Sequence, residues 1–295
     1  MLVSCGEALV DLVPDPVPGG GPMNVAVAAA RLGLPTAFAG CVSTDDHGQT
    51  ITAHLETNGV DLALLQSTDQ PTARAIVEHT PELVFRFEGD NTADTLLGPV
   101  DLDALAWPAQ IIHGGTLGLF RGRTADTLAE LAEAHDGLVS LDPNVRPQII
   151  DDRAAWDRFH QRWVEVTGLY KASDEDLAWI WPDQSVEACV DHLLERGVAA
   201  VVVTRGANGL SVATGSGTVT VPSPAVDVVD TVGAGDTVVA AILANLSERA
   251  ATTAAAVGEL RLDQWQGIAA AAAEAAAVTV TRPGADPPRR EDLSW

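Results

Sequence analysis

The sequence predicts an α/β fold in which a mostly parallel central sheet carries helices on both faces. Three observations predict it. Short β-branched runs alternate with segments of helical period over most of the 295 residues, the pattern of strands joined by crossover helices. At residues 228–243, "VVDTVGAGDTVVAAIL", an apolar run passes through a glycine pair into an apolar segment of helical period. The alternation fails only over 72–90, where "TARAIVEHTPELVFRFEG" reads as two strands joined by a turn, a small β flap beside the main sheet.

Taken in order, the chain opens on "LVSCGEALVDL", which reads as a first strand; with no basic n-region and no long apolar run it is not a signal peptide. A helix over 23–32 follows, with Pro22 placed for its first turn and Gly33 to stop it. "TAFAGCV", "AQIIHGG", "GLVSLD", "AAVVVT" and "AVDVVD" are further candidate strands, and 123–135, 185–196, 237–247 and 262–277 further helices. "GSGTVT" at 215 reads as a hairpin turn. With no internal repeat and no Ser/Gly linker, residues 1–295 read as a single domain with a β insertion.

Composition narrows the chemistry. Seventeen basic against 41 acidic residues give a formal charge of −24, a field that repels nucleic acid and anionic membrane surfaces. An anionic substrate must therefore be held by local donors. Three widely spaced cysteines give neither a disulfide framework nor a C-x-x-C metal site, which suits a reduced cytoplasm. Seven scattered histidines offer no zinc site. "GIAAAAAEAAAVTV" is too short and too weakly apolar to span a bilayer. Tryptophans 156, 163, 179 and 181 fall in helical segments, where packing explains them.

The glycine-rich turn then takes the weight. Lys171 is the sole lysine and lies in "LYKASD", so no Walker A loop is present; "GAGDTV" lacks the third glycine of a dinucleotide fingerprint. What remains is a Gly-Ala-Gly-Asp turn opening a helix. Backbone N–H groups of Gly233, Ala234 and Gly235 would hold an anion there. The carboxylate of Asp236 beside them fits transfer of a phosphoryl group to an alcohol, whose proton a positioned Asp can accept while the amides stabilise the dispersed charge. A plain helix cap is the competing reading of Asp236, at even odds from this turn alone.

"DTVGAGDT" together with "GGGPMNVAVAAARLG" resembles the two motifs of the PfkB, ribokinase-like, carbohydrate kinases. "GEALVDLVP", "FAGCVSTDDHG", "SLDPNVRP", "YKASDEDLAWI", "VVVTRGANG" and "TRPGADPP" extend the resemblance over essentially the whole chain, with wording nearest to bacterial fructokinases. It implies a ribokinase-like fold with a β lid built on 72–98 and on 12–19, the latter shortened. It implies Asp236 as catalytic base, and Asp11, Gly20, Gly21, Asn24 and Arg146 as substrate-binding residues. It places Thr204, Gly206, Gly209 and Lys171 on the nucleotide side, and Asp230 at a monovalent cation such as K⁺. The implied cofactors are ATP and Mg²⁺, the implied acceptor a ketohexose such as fructose, and a homodimer is open. A ketodeoxygluconate or nucleoside kinase, and a catalytically silent sugar binder, stand as alternatives. Taken singly, Asp11 also reads as a loop residue, Asn24 as a helix start and Arg146 as a surface ion pair.

Three positions depart from the family pattern. Its N-x-x-E element, tied to Mg²⁺, stands here as Ser173-x-x-Asp176, where a shorter carboxylate would act through water. Only "LVPDPVP" separates Asp11 from the glycine pair, so the lid should be reduced. The Ala-rich late helix lacks the asparagine many relatives place near the adenine.

Overall fold

A computed structural model describes every residue except 14 and 80–82. The first eleven apolar and acidic residues do not make one strand. Gly6, at a φ of 150°, breaks the run into β1 (Leu2–Cys5) and β2 (Leu9–Val13), which enter different sheets. β2 turns back as β3 (Asp15–Gly19), and α1 (Gly21–Arg31) follows with its proline in the first turn. Next come β4 (Thr36–Ser43), α2 (Asp46–Thr57) and β5 (Leu65–Thr68), then the hairpin of β6 (Arg74–His79) and β7 (Leu83–Glu88). A wound half runs through β8 (Ile111–Gly115), α3 (Gly122–Glu133), β9 (Leu138–Asp142), α4 (Arg153–Val166) and β10 (Leu169–Ser173). It continues through α5 (Asp174–Ile180), α6 (Val186–Glu195), β11 (Ala200–Thr204) and the antiparallel pair β12 (Leu210–Thr214) and β13 (Gly217–Val221). Three helices, α7 (Ala234–Glu248), α8 (Ala254–Gly258) and α9 (Leu262–Val280), complete it.

The main sheet has the order β13-β12-β11-β10-β9-β8-β1-β4-β5, parallel from β11 to β5. Alternate side chains point to opposite faces of a strand, and here both faces are apolar. Leu2, Ile111, Leu138, Leu169 and Val202 pack under α1, α7 and α9. Their neighbours Val3, Ile112, Val139, Tyr170 and Val203 pack against α3, α4 and α6, with Trp156 and Trp163 fully buried among them. α7 and α9 pack together within this core and contribute many small residues to it, among them Ala240, Ala241 and Ala244 of α7 and Ala269, Ala272 and Ala273 of α9.

The second sheet has the order β3-β2-β6-β7, and its residues Leu9, Asp11, Ala75 and Phe87 line one cleft together with Ser173 and Thr204 at the carboxyl ends of β10 and β11. Residues 12–19 lie in its β2–β3 hairpin, and within 72–98 the strands are β6 and β7; residues 14 and 80–82 lie outside the described set.

Two expectations fail. "AVDVVD" (225–230) is an irregular segment: Pro222 and Pro224 end the β-structure after Val221, and the segment is tied to the end of α9 by Val229 N and Asp230 N, which both donate to the Val280 carbonyl. The opening run is two strands, as described. Among the described residues no helix is long and apolar enough to cross a membrane.

Candidate active site

Chain order reverses between β8 and β1, and in a wound sheet the crevice beyond the carboxyl ends at such a point receives ligands. The cleft found there has a volume of about 1230 Å³. Every residue named from the sequence except Asp230 lines it.

Asp236 occupies the first turn of α7, entered through Gly233 at a left-handed φ of 76°. The N-cap is Gly233, not Asp236, and the Asp236 carboxylate makes no capping bond. Instead Asn24 Nδ2 donates to its Oδ2 at 2.8 Å, while Oδ1 has no partner among the described residues. That arrangement removes the cap reading. The carboxylate is 8% exposed. Burial raises its pKa above the ordinary carboxylate value, opposed by the Asn24 hydrogen bond and by the charges of Lys171 and Arg146.

The amides before it divide. Ala234 N–H is turned to the Thr231 carbonyl at 3.3 Å, so it does not belong to the anion hole as expected. Among the described residues the N–H groups of Gly233, Gly235 and Asp236 have no acceptor, and a helix N-terminus with bare amides attracts anions.

On the β1 side, Asp11 sits on β2 with its pKa pushed up to about 6 by burial, partly countered by Arg146. Gly20 and Gly21 open α1, and a side chain at Gly21 would meet Thr116 Oγ1 at 2.5 Å. Arg146 donates only to the carbonyls of Asn144 and Val145, at 3.1 and 3.0 Å, so its charge has no carboxylate partner among the described residues and borders the cleft. On the β11 side, Thr204, Gly206 and Gly209 line the cleft, as do Val226 and Val228 and, from α9, Ala273 and Ala277.

Lys171 lines the same cleft and lies against the turn at Gly235. It is buried, with Nζ donating to Asp142 Oδ2 at 2.7 Å.

Two of the expected metal-side residues also do structural work. Asp176 Oδ1 accepts from Val145 N at 2.8 Å, and Oδ2 from Ser173 N and Ser173 Oγ at 2.8 and 2.7 Å, so this carboxylate is consumed in a capping box that also fixes the 144–146 loop. Both oxygens of Asp230 are likewise taken, by Val232 N at 3.1 Å and Gly284 N at 2.8 Å. Its carboxylate braces two loops, with one backbone amide on each oxygen. Among the described residues no group of three or more His, Cys, Asp or Glu could hold a metal ion.

Glu7 escaped sequence reasoning because it sits inside what reads as a strand. Its oxygens accept from Gly21 N at 3.1 Å and Gly118 N at 2.9 Å, and burial pushes its pKa up to about 8. It pins the first turn of α1, and hence Asn24, to the turn after β8. Thr116 and Asn144, joined at 3.2 Å, complete the polar wall. Only the left-handed φ of 37° at Asn144 links it to a local signal, the tolerance of Asn for that region.

The pfkB family carbohydrate kinase model matches residues 15–292. A fructokinase of Rhizobium leguminosarum bv. trifolii is 36% identical over 259 residues, 83% of this chain and 79% of the relative. The fructokinase of Xylella fastidiosa with bound ATP superposes with a TM-score of 0.87 at 26% identity, covering 96% of this chain and 93% of that one. The fructokinase of Vibrio cholerae O395 with bound fructose, ADP and calcium ion gives a TM-score of 0.80 at 28% identity, covering 96% and 94%. The fold is ribokinase-like, and the chain belongs to the pfkB family of carbohydrate kinases.

Proposed function

We propose that this protein is an ATP-dependent kinase that phosphorylates a hydroxyl of a ketohexose, fructose first among them. The observation that carries the reading is the free Oδ1 of buried Asp236, held in the cleft by Asn24 beside three unspent helix amides. The relatives named as fructokinases support fructose as acceptor.

The residues divide the work by position. Asp11 accepts hydrogen bonds from sugar hydroxyls, and Asn24 and the Gly20–Gly21 backbone bound the same end. Asp236 Oδ1 takes the proton of the attacking hydroxyl as its oxygen bonds to the γ-phosphorus and the bond from that phosphorus to the bridging oxygen breaks, releasing ADP. The amides of Gly233, Gly235 and Asp236 and the Arg146 guanidinium stabilise charge on the transferred group. Thr204, Gly206 and Gly209 border the nucleotide, and Val226 and Ala277 are apolar lining for its base. Mg²⁺ bound with the nucleotide would supply neutralising charge at its phosphates, and Asp176, the carboxylate expected to reach it through water, already accepts three hydrogen bonds.

ADP release measured across a panel of fructose, glucose, ribose, 2-keto-3-deoxygluconate and nucleosides tests this. Fructose should give the highest kcat/KM. A nucleoside or the sugar acid in first place would replace the acceptor. Sugar-induced thermal stabilisation with no ADP from any acceptor would show a silent binder.

A further inference from the structure

The sole lysine of the chain is buried beside the phosphoryl-transfer turn, where the fold gains little stability from it. Lys171, on β10, is 5% exposed, and its Nζ bonds Asp142 Oδ2 at 2.7 Å. An ammonium has three protons to give, and Asp142 is its one acceptor among the described residues. The group borders the cleft and lies against α7: a methyl at Gly235 would stand 2.9 Å from Nζ. Glycine at 235 therefore leaves the ammonium room to approach the turn. The carboxylates of Asp142, Asp176 and Asp236 surround it and keep it protonated against the cost of burial. Buried ion pairs of this kind contribute little net stability, and an apolar pair of equal volume often does better. A charge kept at such a place, against the turn that carries bare amides, points to chemistry.

We propose that Lys171 is a catalytic residue that donates its remaining N–H bonds to a non-bridging oxygen of the phosphoryl group in transfer, with Asp142 as the positioning residue that fixes the ammonium beneath Gly235. The inference rests on Asp236 being the base of the same site. Lys171 stays protonated throughout and forms no covalent bond. Its charge is useful only while negative charge is spread over the transferred oxygens, so it acts on turnover more than on binding.

A single lysine makes the test direct. Protein labelled with ¹⁵N- and ¹³C-lysine has one lysine side-chain resonance, free of assignment ambiguity. Adding ADP, Mg²⁺, aluminium fluoride and fructose, which imitate the transferred group in place, should move the Nζ and Cε signals and slow exchange of the ammonium protons. Adenosine with fructose should leave them where they are. Equal spectra in both mixtures, or an equal shift with adenosine, would overturn the role.

Kinetics gives a second reading. K171M should lose about 100- to 1,000-fold in kcat, with fructose binding unchanged. The K171M/D142N double variant, which removes both members of the buried ion pair, should melt above K171M and remain as slow. A double variant at the wild-type rate would mean that K171M failed only through its orphaned carboxylate. An inactive D236N whose lysine signal still ignores the transition-state mimic would sink the lysine role alone and leave the base assignment standing.

Discussion

Asp236 is held between two opposed influences, and its chemistry follows from their balance. Burial raises its pKa, while the amide of Asn24 and the cations Lys171 and Arg146 lower it. A base works only when deprotonated, so kcat/KM should fall as pH drops through a value above the ordinary 3.8 of an aspartate. Replacing Asn24 by Ala removes one lowering influence. Its acid limb should therefore move to higher pH, with kcat reduced; an unmoved limb in a pH–rate profile would show that Asn24 serves the sugar alone. The same shift bears on stability. A folded-state pKa above the unfolded one means that the wild type loses stability as pH rises from 3.8 to the raised value. D236N, which keeps an acceptor for Asn24, should thus melt above the wild type at pH 8, with the gap closing in acid; calorimetry at several pH values checks both. From sequence, Asp236 was legible as base or cap with nothing local to choose between them. The choice lies in Asn24, 212 positions away in the chain. Glu7 was illegible for the same reason, since its two partners, Gly21 and Gly118, are brought to it only by the sheet order.

At the scale of elements, the short helix α5 shows how a motif can keep its place and change its work. Ser173 and Asp176 close a capping box, and Asp176 also holds the Val145 amide and with it the loop that carries Arg146. D176A should therefore cost about 1–3 kcal/mol of stability, the scale for orphaning buried donors, and raise the KM for fructose. The midpoint of a Mg²⁺ titration should stay where it is. A shifted midpoint with unchanged stability would restore the metal role. The alternating apolar strands and the amphipathic helices were legible because their period is local. Residues 225–230 misled because β-branched composition mimics a strand, whereas two prolines and the lack of a neighbouring edge leave the valines lining a cleft. Helix α2, starting at the Asp45 cap, and helix α4, at the Asp152 cap, carry clear capping side chains that composition alone had hidden among polar residues.

For the whole molecule, a charge of −24 and an anionic substrate set a long-range problem that a few local donors must solve. The field of the chain slows approach of ATP, and salt screens that field. Raising ionic strength from low to physiological should therefore increase kcat/KM for ATP, on the order of threefold, while fructose, which is neutral, should show no such rise. A fall in kcat/KM for ATP would mean that the cleft's own cations dominate at a distance. The overall architecture was the most legible property of all, since it rests on many weak local signals that agree. The site was legible as a set of residues and not as a geometry, because hydrogen-bond partners such as Asn24 with Asp236 and Lys171 with Asp142 are decided by packing. The central claim is that one turn both cradles the transferred phosphoryl group and removes the proton from the alcohol. Its most direct test is ADP formation by wild type and D236N at saturating ATP and fructose, with fructose affinity measured on both by calorimetry. Affinity should be unchanged and the rate lower by about 100- to 10,000-fold; a D236N that turns over fructose at the wild-type rate would rule out Asp236 as the base.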